Sequence, residues 1–231
     1  MKRTAIAAFV MLASVGAHAD YITDYVHAEV GAGVTHYATI DGRWYQQGMP
    51  TGSEVQRTNA EFSLGLTGPI VARGRWGVDW HVDYVNLGRA AADCQCTPDD
   101  RNYDPKRHVF TKKIDVQNAF FTGSGRSQGV ALTVEPYYWW QGLRWGAEVG
   151  AYVHRDNWKE YVAGWAMPGQ APQSFELNSS YWSVAPVVGV NIGNGRVSLA
   201  YRHYFMTINS NKASTPPLWN DADVLEIKVK F

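Results

Sequence analysis

The last eight residues of the chain read "VLEIKVKF", residues 224–231, and apolar and charged residues alternate along them. The apolar members are Leu225, Ile227, Val229 and Phe231, and the charged members are Glu226, Lys228 and Lys230. Because successive side chains of an extended chain point in opposite directions, the stretch predicts a β-strand with one apolar and one charged face.

Seven further segments alternate in the same way: 25–37, 59–67, 75–85, 129–140, 145–154, 181–192 and 197–206. The gaps after the first, third, fifth and seventh strands are long, at 38–58, 86–128, 155–180 and 207–223. The other gaps are short, at 68–74, 141–144 ("QGLR") and 193–196 ("GNGR"), and the last two are typical of hairpin turns. An even strand number with long and short connections on opposite sides is the pattern of outer-membrane β-barrels.

The distribution of aromatic residues decides which face of such a barrel is outside. Aromatic residues on the apolar face concentrate near segment ends: Trp76, Tyr84, Tyr138, Trp140, Trp145, Trp182 and Phe205. Membrane barrels carry such girdles at both interfaces, and the opposite face here has too many charges for a dry ligand cavity. The sequence therefore predicts an all-β protein, an eight-stranded antiparallel transmembrane up-and-down barrel with short periplasmic turns and long extracellular loops.

The N-terminus reads "MKRTAIAAFVMLASVGAHAD" and predicts a signal peptide over residues 1–19 and a barrel domain over 20–231. This leader resembles that of the enterobacterial outer-membrane protein OmpA. After residue 19 no stretch approaches 18 consecutive apolar residues, which argues against a helical membrane protein. The formal net charge is +0, and no basic block indicates nucleic acid. The predicted location is the outer membrane of a Gram-negative cell.

The terminal strand also carries a resemblance to a family of proteins. Its alternating apolar residues and final Phe231 resemble the signal that the outer-membrane assembly machinery reads. The whole mature chain resembles small eight-stranded barrels, the OmpA membrane domain and OmpX, and shares their architecture with the lipid A enzymes PagP and PagL. The resemblance implies a monomer without a cofactor, with outer-membrane lipid and lipopolysaccharide as its surroundings and the assembly machinery as a partner during biogenesis.

An eight-stranded barrel has an interior that side chains fill. By parity, the inward carboxylates are Glu29, Glu61, Asp79, Asp83, Glu135, Glu148 and Glu226. The inward cations are Arg202, Lys228 and Lys230, and His27 and His81 are available to the surplus acids. Strand three lies across from strand seven in such a ring, so an acidic wall is expected to face a basic one. Since buried charges need partners, we predict a salt-bridge network that plugs the lumen; a proton or ion path is the alternative.

No enzyme motif is complete in the sequence. PagL-like deacylases carry His-x-Ser on the outward face of a late strand, whereas "RHYFMTINSN" has His203 followed by Phe205, with Ser210 at the wrong spacing. A PagP-like set of loop residues such as His36, His108 and Ser53 stays open. Pro136 and Pro186 lie within predicted membrane strands, and we expect bulges, membrane interfaces or a lateral opening for a lipid chain at these positions.

The longest predicted loop holds Cys94 and Cys96, which we expect to form a local disulfide in an oxidising compartment, with free thiols or an intermolecular bond as the alternatives. No metal site is expected. The same loop carries Lys106, Arg107, Lys112 and Lys113, which could bind a partner or lipopolysaccharide phosphates, with a solvated loop as the alternative. The sequence thus favours a non-enzymatic barrel whose loops contact the envelope or the outside. A lipid A-modifying deacylase or acyltransferase and a narrow channel are the alternatives.

Overall fold

The computed structural model describes residues 25–39, 54–96, 103–104, 109–110, 119–165, 171, 173–206 and 219–231. Eight strands form the body, and we number them β1 His27–Thr39, β2 Thr58–Arg73, β3 Trp76–Cys96, β4 Ala119–Trp140, β5 Leu143–Trp165, β6 Gln173–Gly193, β7 Val197–Tyr204 and β8 Trp219–Lys230. Three short extended segments accompany them: Glu54–Gln56, Tyr103–Asp104 and Val109–Phe110.

Each barrel strand pairs in antiparallel fashion with the next along the chain, and the ring closes between β1 and β8. At the closure Glu29 lies opposite Lys230 and Val34 opposite Leu225. This pairing leaves the ring without an open edge, and it confirms the predicted fold class and strand order. The terminal strand therefore alternates because it is a wall of a closed barrel, with one face outside and one inside.

The two faces have opposite chemistry from those of a water-soluble barrel. Large apolar side chains cover the outside, where Ile227 is 57% exposed and Val190 is 58% exposed. Charged side chains are buried inside, where Arg202 and Glu135 are both 0% exposed. An apolar exterior on a barrel whose backbone hydrogen bonds are closed on themselves is the arrangement that spans a membrane.

The middle strands are longer than predicted. β3, β4, β5 and β6 have between 21 and 23 residues, whereas about 9–11 residues suffice to cross a bilayer. Much of the predicted loops 86–128 and 155–180 is therefore strand. These four strands continue beyond the apolar band as one sheet, the extension, at the end where the long connections lie. The Glu54–Gln56 segment pairs with the edge of this extension at Ala91–Asp93.

The prolines lie at regular positions rather than at bulges. Pro136 pairs with Val78 and Pro186 pairs with Ala151, and neither pairing shifts the register. The bulge that we expected at these residues is therefore wrong. Pro136 lies two residues from Tyr138 in the aromatic girdle at the short-turn end, where an interface position was the other expectation.

Several predicted features lie outside the described residues. They are the signal peptide 1–19, Ser53, Lys106, Arg107, His108, Lys112, Lys113 and Ser210. The backbone of Cys94 and Cys96 belongs to β3 rather than to a loop, but their side chains are outside the described part, so the disulfide stays a prediction. Among the described residues, no helix has the length and hydrophobicity to cross a bilayer.

Candidate functional site

The lumen contains a layer of ion pairs with Arg202 of β7 at its centre. Its guanidinium donates from Nη2 to Asp83 Oδ2 at 2.7 Å and from Nε to Glu148 Oε2 at 2.7 Å. Glu226 Oε1 lies 3.4 Å from Nη1. Asp83 is on β3, so this contact crosses the lumen, as the ring order predicts. Because all these groups are buried, the guanidinium ties three strands together through the interior.

Lys228 and His81 extend the ion-pair layer toward the short-turn end. Lys228 Nζ donates to Glu29 Oε1 at 2.8 Å and to Asp83 Oδ2 at 3.2 Å. The two ring nitrogens of His81 lie 2.9 Å from Glu29 Oε1 and 3.0 Å from Glu135 Oε2. Lys230 is more exposed, and its Nζ lies 3.9 Å from Asp79 Oδ2. Every inward cation of the sequence prediction therefore lies in the lumen against a carboxylate.

Arg144 is a member of this layer that sequence reasoning missed. Its Nη2 lies 2.8 Å from Asp79 Oδ2 and 3.1 Å from Glu135 Oε1, and its guanidinium stacks over Tyr137 at 4.0 Å from the ring centroid. The sequence predicts a turn at "QGLR", but β5 begins at Leu143, so Arg144 is already a strand residue that points inward. Arg144 and Glu148 are four residues apart and therefore lie on the same face of β5. This spacing is the signal that could have identified Arg144 as an inward residue.

Glu61 is the exception among the predicted lumen charges. Its two carboxylate oxygens are buried and have no hydrogen-bond partner among the described residues. Gly33 of β1 lies between Glu61 and Glu226 in the same row of the wall. Glu226 Oε2 accepts a hydrogen bond from the Ser63 hydroxyl at 2.8 Å, and Glu226 also faces Arg202. Glu61, the other carboxylate of the row, has no cation in contact among the described residues.

The three groups His81, Glu135 and Glu148 have ligand atoms within 4.8 Å of one another, a spacing compatible with a metal ion. Each of them already contacts an ion-pair partner: Glu29, Arg144 and Arg202, respectively. The adjoining cavity has a volume of about 20 Å³, which accommodates about one water molecule. The donor set is therefore that of a charge network in which Arg144 and Arg202 are the cations of the two carboxylates.

A second layer closes the lumen toward the long-connection end, and the sequence analysis did not predict it. We call it the aromatic layer: Tyr37, Tyr152, Trp158, Tyr204 and Trp219. Tyr37 and Trp219 have ring centroids 4.9 Å apart, and Trp158 meets Trp219 edge to face at 5.6 Å. Tyr152 and Tyr204 meet in the same manner at 4.9 Å. Each of these side chains is at most 1% exposed, so the interior is packed above the ions as well as among them.

Ser127, His154 and Asp156 lie together beside the aromatic layer, which brings three residue types of a hydrolase triad into contact. However, Ser127 Oγ and Asp156 Oδ1 both approach the same ring nitrogen, His154 Nδ1, at 3.2 Å and 3.1 Å. A triad needs the serine on one nitrogen and the acid on the other. All three groups are buried in the packed lumen, so the cluster has neither the geometry nor the access of such a triad.

His203 faces outward, as predicted, and it has an acid partner. Its Nδ1 lies 2.7 Å from Asp223 Oδ1 of β8, and Tyr201 donates its hydroxyl to the same carboxylate oxygen. Phe205 packs edge to face on the His203 ring at 4.3 Å between centroids. His36, the second outward histidine, contacts Thr58 Oγ1 at 3.1 Å. The position where a deacylase has its serine is therefore filled by a phenyl ring.

The residues of the predicted assembly signal lie on the outside of β8. Leu225 and Ile227 are exposed, and Phe231 is 71% exposed with its backbone N–H bonded to Ala28 O at 2.9 Å. Val229 lies on the same face. The backbone of Phe231 thus forms a hydrogen bond across the β1–β8 closure, while its side chain is mostly exposed.

Comparison with solved structures returns small outer-membrane barrels. The chain is similar to Ail, the attachment invasion locus protein of Yersinia pestis, in complex with the heparin analogue sucrose octasulfate, at 12% identity over 89% of this chain and 97% of that one, with a TM-score of 0.38. It is also similar to the outer-membrane protein OprG of Pseudomonas aeruginosa, at 10% identity over 90% and 97% of the chains, with a TM-score of 0.40. No family model and no curated protein matches the chain. The closed ring, the apolar exterior and the charged interior show that this chain is an eight-stranded antiparallel barrel of the kind that spans a membrane.

Proposed function

We propose that this protein is a non-conducting, non-enzymatic outer-membrane barrel that presents its extension and long connections to the envelope surface and the outside. The observation that carries the proposal is the filled lumen. The ion-pair layer and the aromatic layer occupy the interior one above the other, and the cavity among the ions has room for about one water molecule.

The alternative of a narrow channel needs a continuous wet path, and the arrangement of charges argues against one. Arg202 and Lys228 each contact two or more carboxylates at or near hydrogen-bond distance. An ion crossing the lumen would have to displace these pairs and then pass the packed rings of Trp158 and Trp219. A barrel closed in this way offers its outer surfaces, rather than its interior, for function.

A liposome swelling assay tests this proposal. The full mature chain, refolded into liposomes, is expected to leave the swelling rate in small sugars at the level of protein-free vesicles, with a porin as the positive control. Swelling that rises with the amount of this protein would show an open lumen and would refute the non-conducting function.

A lipid A-modifying enzyme is the second candidate, and the His203–Asp223 pair favours it. The pair lies on the outer face near the apolar band, where the acyl chains of lipid A are accessible, but Phe205 occupies the position of the nucleophile. Mass spectrometry of lipid A from cells with and without this protein discriminates the two functions. An acyl chain gained or lost with the natural chain, but not with His203→Ala, would replace the non-enzymatic proposal by this one.

A further inference from the structure

The outward face of the extension changes composition abruptly where it leaves the apolar band. Cross-strand pairing defines rows that run across β3, β4, β5 and β6. One row consists of Tyr84, Val130, Val153 and Val184, which are all exposed and apolar or aromatic. The next row holds Arg155 opposite Trp182, which is 68% exposed. Exposed tryptophan is enriched where a membrane meets water, so this row marks the edge of the hydrocarbon.

Four cations lie in this row and the two beyond it, and we call them the cationic patch: Arg89, Arg126, Arg155 and Lys159. All four are exposed on the outward face and border one shallow depression with Ser124, Gln128 and Asn157. One row is two residues along a strand, or about 5 Å along the membrane normal for a strand tilted by about 40°. The patch therefore covers the first 10 Å or so above the hydrocarbon edge.

The charges of the patch are not neutralised by acids within the described part of the chain. Among the described residues, none of them forms an ion pair at 4.0 Å or less, and Arg89 lies directly opposite Arg126 in the β3–β4 ladder. Like charges at directly paired positions destabilise a sheet. The nearest exposed acids on this face, Asp93 and Glu176, belong to the row beyond Lys159. An anion held between the two arginines would remove the repulsion.

One member of the patch is already oriented. Arg155 Nε donates to Ser180 Oγ at 2.8 Å, and Ser180 in turn donates to Asn157 Oδ1 at 2.8 Å. This chain of hydrogen bonds fixes one edge of the guanidinium and leaves its terminal nitrogens available. Guanidinium groups bind phosphate through paired hydrogen bonds, so the geometry is suited to a phosphate at the membrane surface.

We infer that the cationic patch binds the phosphate groups of a lipid A molecule whose acyl chains lie against the apolar band directly beneath it. Two features of the surface commit the site to this occupant. The charge lies at the level of the headgroup, and the apolar row of Val130 and Val153 continues the surface into the hydrocarbon. A soluble phosphate would use only the first of these features. The inference rests on the outer-membrane location within the proposed function, but not on the closed lumen.

The test measures binding of lipid A to the refolded full mature chain in micelles of an uncharged detergent. Bisphosphorylated lipid A is the probe, and dephosphorylated lipid A and inorganic phosphate at equal concentration are the comparisons. We expect the bisphosphorylated form to bind at least tenfold more tightly than either comparison and to lose affinity as salt increases, since salt screens exposed charges. Equal binding of the dephosphorylated form would overturn the site, and equal binding of inorganic phosphate would make it a free-anion site instead.

Paired variants locate the binding. Arg89→Gln/Arg126→Gln is expected to weaken binding of bisphosphorylated lipid A by about tenfold or more, because it removes the central pair of guanidinium groups. Arg73→Gln/Arg75→Gln is the matched control, with two exposed arginines removed at the short-turn end. Circular dichroism and the heat-induced shift in gel mobility verify that both variants are folded. Equal loss in both, or no loss in either, would show that the patch is not the site; a conducting barrel that still binds lipid A would refute only the closed lumen.

Discussion

At the scale of single residues, cations hold buried carboxylates together across the lumen. Lys228 contacts carboxylates on β1 and β3 from its position on β8, and its side chain is 3% exposed. Removing one partner of a buried pair leaves an uncompensated charge, which costs about 3–5 kcal/mol. Lys228→Met is therefore expected to lower the free energy of unfolding by that amount in urea titrations of the refolded protein.

The exposed Lys159→Met is the matched control for this substitution, because it removes the same charge from the outside of β5. In uncharged detergent the control should leave the urea midpoint unchanged. If the two variants shifted the midpoint equally, Lys228 would be hydrated rather than paired.

Glu61 allows the opposite experiment. Its carboxylate is buried without a hydrogen-bond partner in the described part of the chain, in the same row as Glu226. Glu61→Gln removes the charge and keeps the shape, so we expect the free energy of unfolding to rise by about 1 kcal/mol, the low end of what an unsatisfied buried polar group costs. Glu148→Gln, which loses its pair with Arg202, should destabilise. A loss of stability in both variants would mean that Glu61 has a charged partner.

Alternation with a period of two could place most of the lumen charges from the sequence, because inward and outward positions along a membrane strand differ in chemistry. It placed Arg202, Lys228 and the seven carboxylates on the inward face. Arg144 was missed because the predicted strand begins at residue 145, two residues later than β5 does. The sequence analysis therefore did not assign Arg144 to either face of the barrel wall. Which carboxylate each cation contacts depends on the tilt of the strands, which no single segment encodes.

At the scale of elements, the predicted strands ended too early wherever the wall leaves the membrane. In "RAAADCQC" of β3 the polar Arg89 and Asp93 lie on the outward face and Ala90 and Ala92 on the inward face, whereas "RDNWKEYVAGW" of β5 has polar residues on both faces. Beyond the hydrocarbon the outer face no longer needs to be apolar, so the alternation that reveals a membrane strand is lost although the ladder continues. Trp158 of the aromatic layer belongs to such a segment, and Trp219 lies in a predicted loop, whereas Tyr37, Tyr152 and Tyr204 lie within the predicted strands.

The prolines give an element-scale prediction for hydrogen exchange in micelles. The N–H and C=O groups of one strand residue point to the same neighbour. Phe205 N–H bonds to Pro186 O at 3.0 Å, so the donor missing at Pro186 faces the end of β7. Trp139 N–H bonds to Arg75 O, so alternation directs the donor missing at Pro136 toward Ala147 of β5. The Ala147 carbonyl thus has no donor on β4, and the β4–β5 ladder is interrupted there, between the Val134–Val149 and Tyr137–Gly146 pairs. We therefore expect fast exchange at Ala147 near the interface and slow exchange at Ala151, whereas fast exchange at Ala151 would support a lateral opening for a lipid chain.

Phe231 gives the second element-scale prediction. Its side chain is 71% exposed, so it contributes little to packing of β8. If Phe231 serves as a signal for the assembly machinery, its deletion should reduce insertion in cells several-fold and leave the yield of refolding in detergent nearly unchanged. Both are followed by the heat-induced shift in gel mobility. An equal loss in cells and in detergent would assign Phe231 to folding alone.

At the scale of the whole molecule, the ion-pair layer and the aromatic layer together close the lumen of the barrel. The ion-pair layer connects β1, β3, β5, β7 and β8 across the lumen, and the aromatic layer fills the end toward the extension. Strand number alone predicts an interior that side chains can fill. The two-layer arrangement depends on where the strands continue past the membrane, which the sequence pattern did not reveal.

Single-channel recording in planar bilayers tests this closure most directly. The refolded chain of residues 20–231, inserted at verified protein levels with a porin as the positive control, is predicted to show no stable conductance steps. The reason is that Arg202 and Lys228 are held by carboxylates and the lumen above them is packed with aromatic rings. Steady openings of porin size would contradict the account.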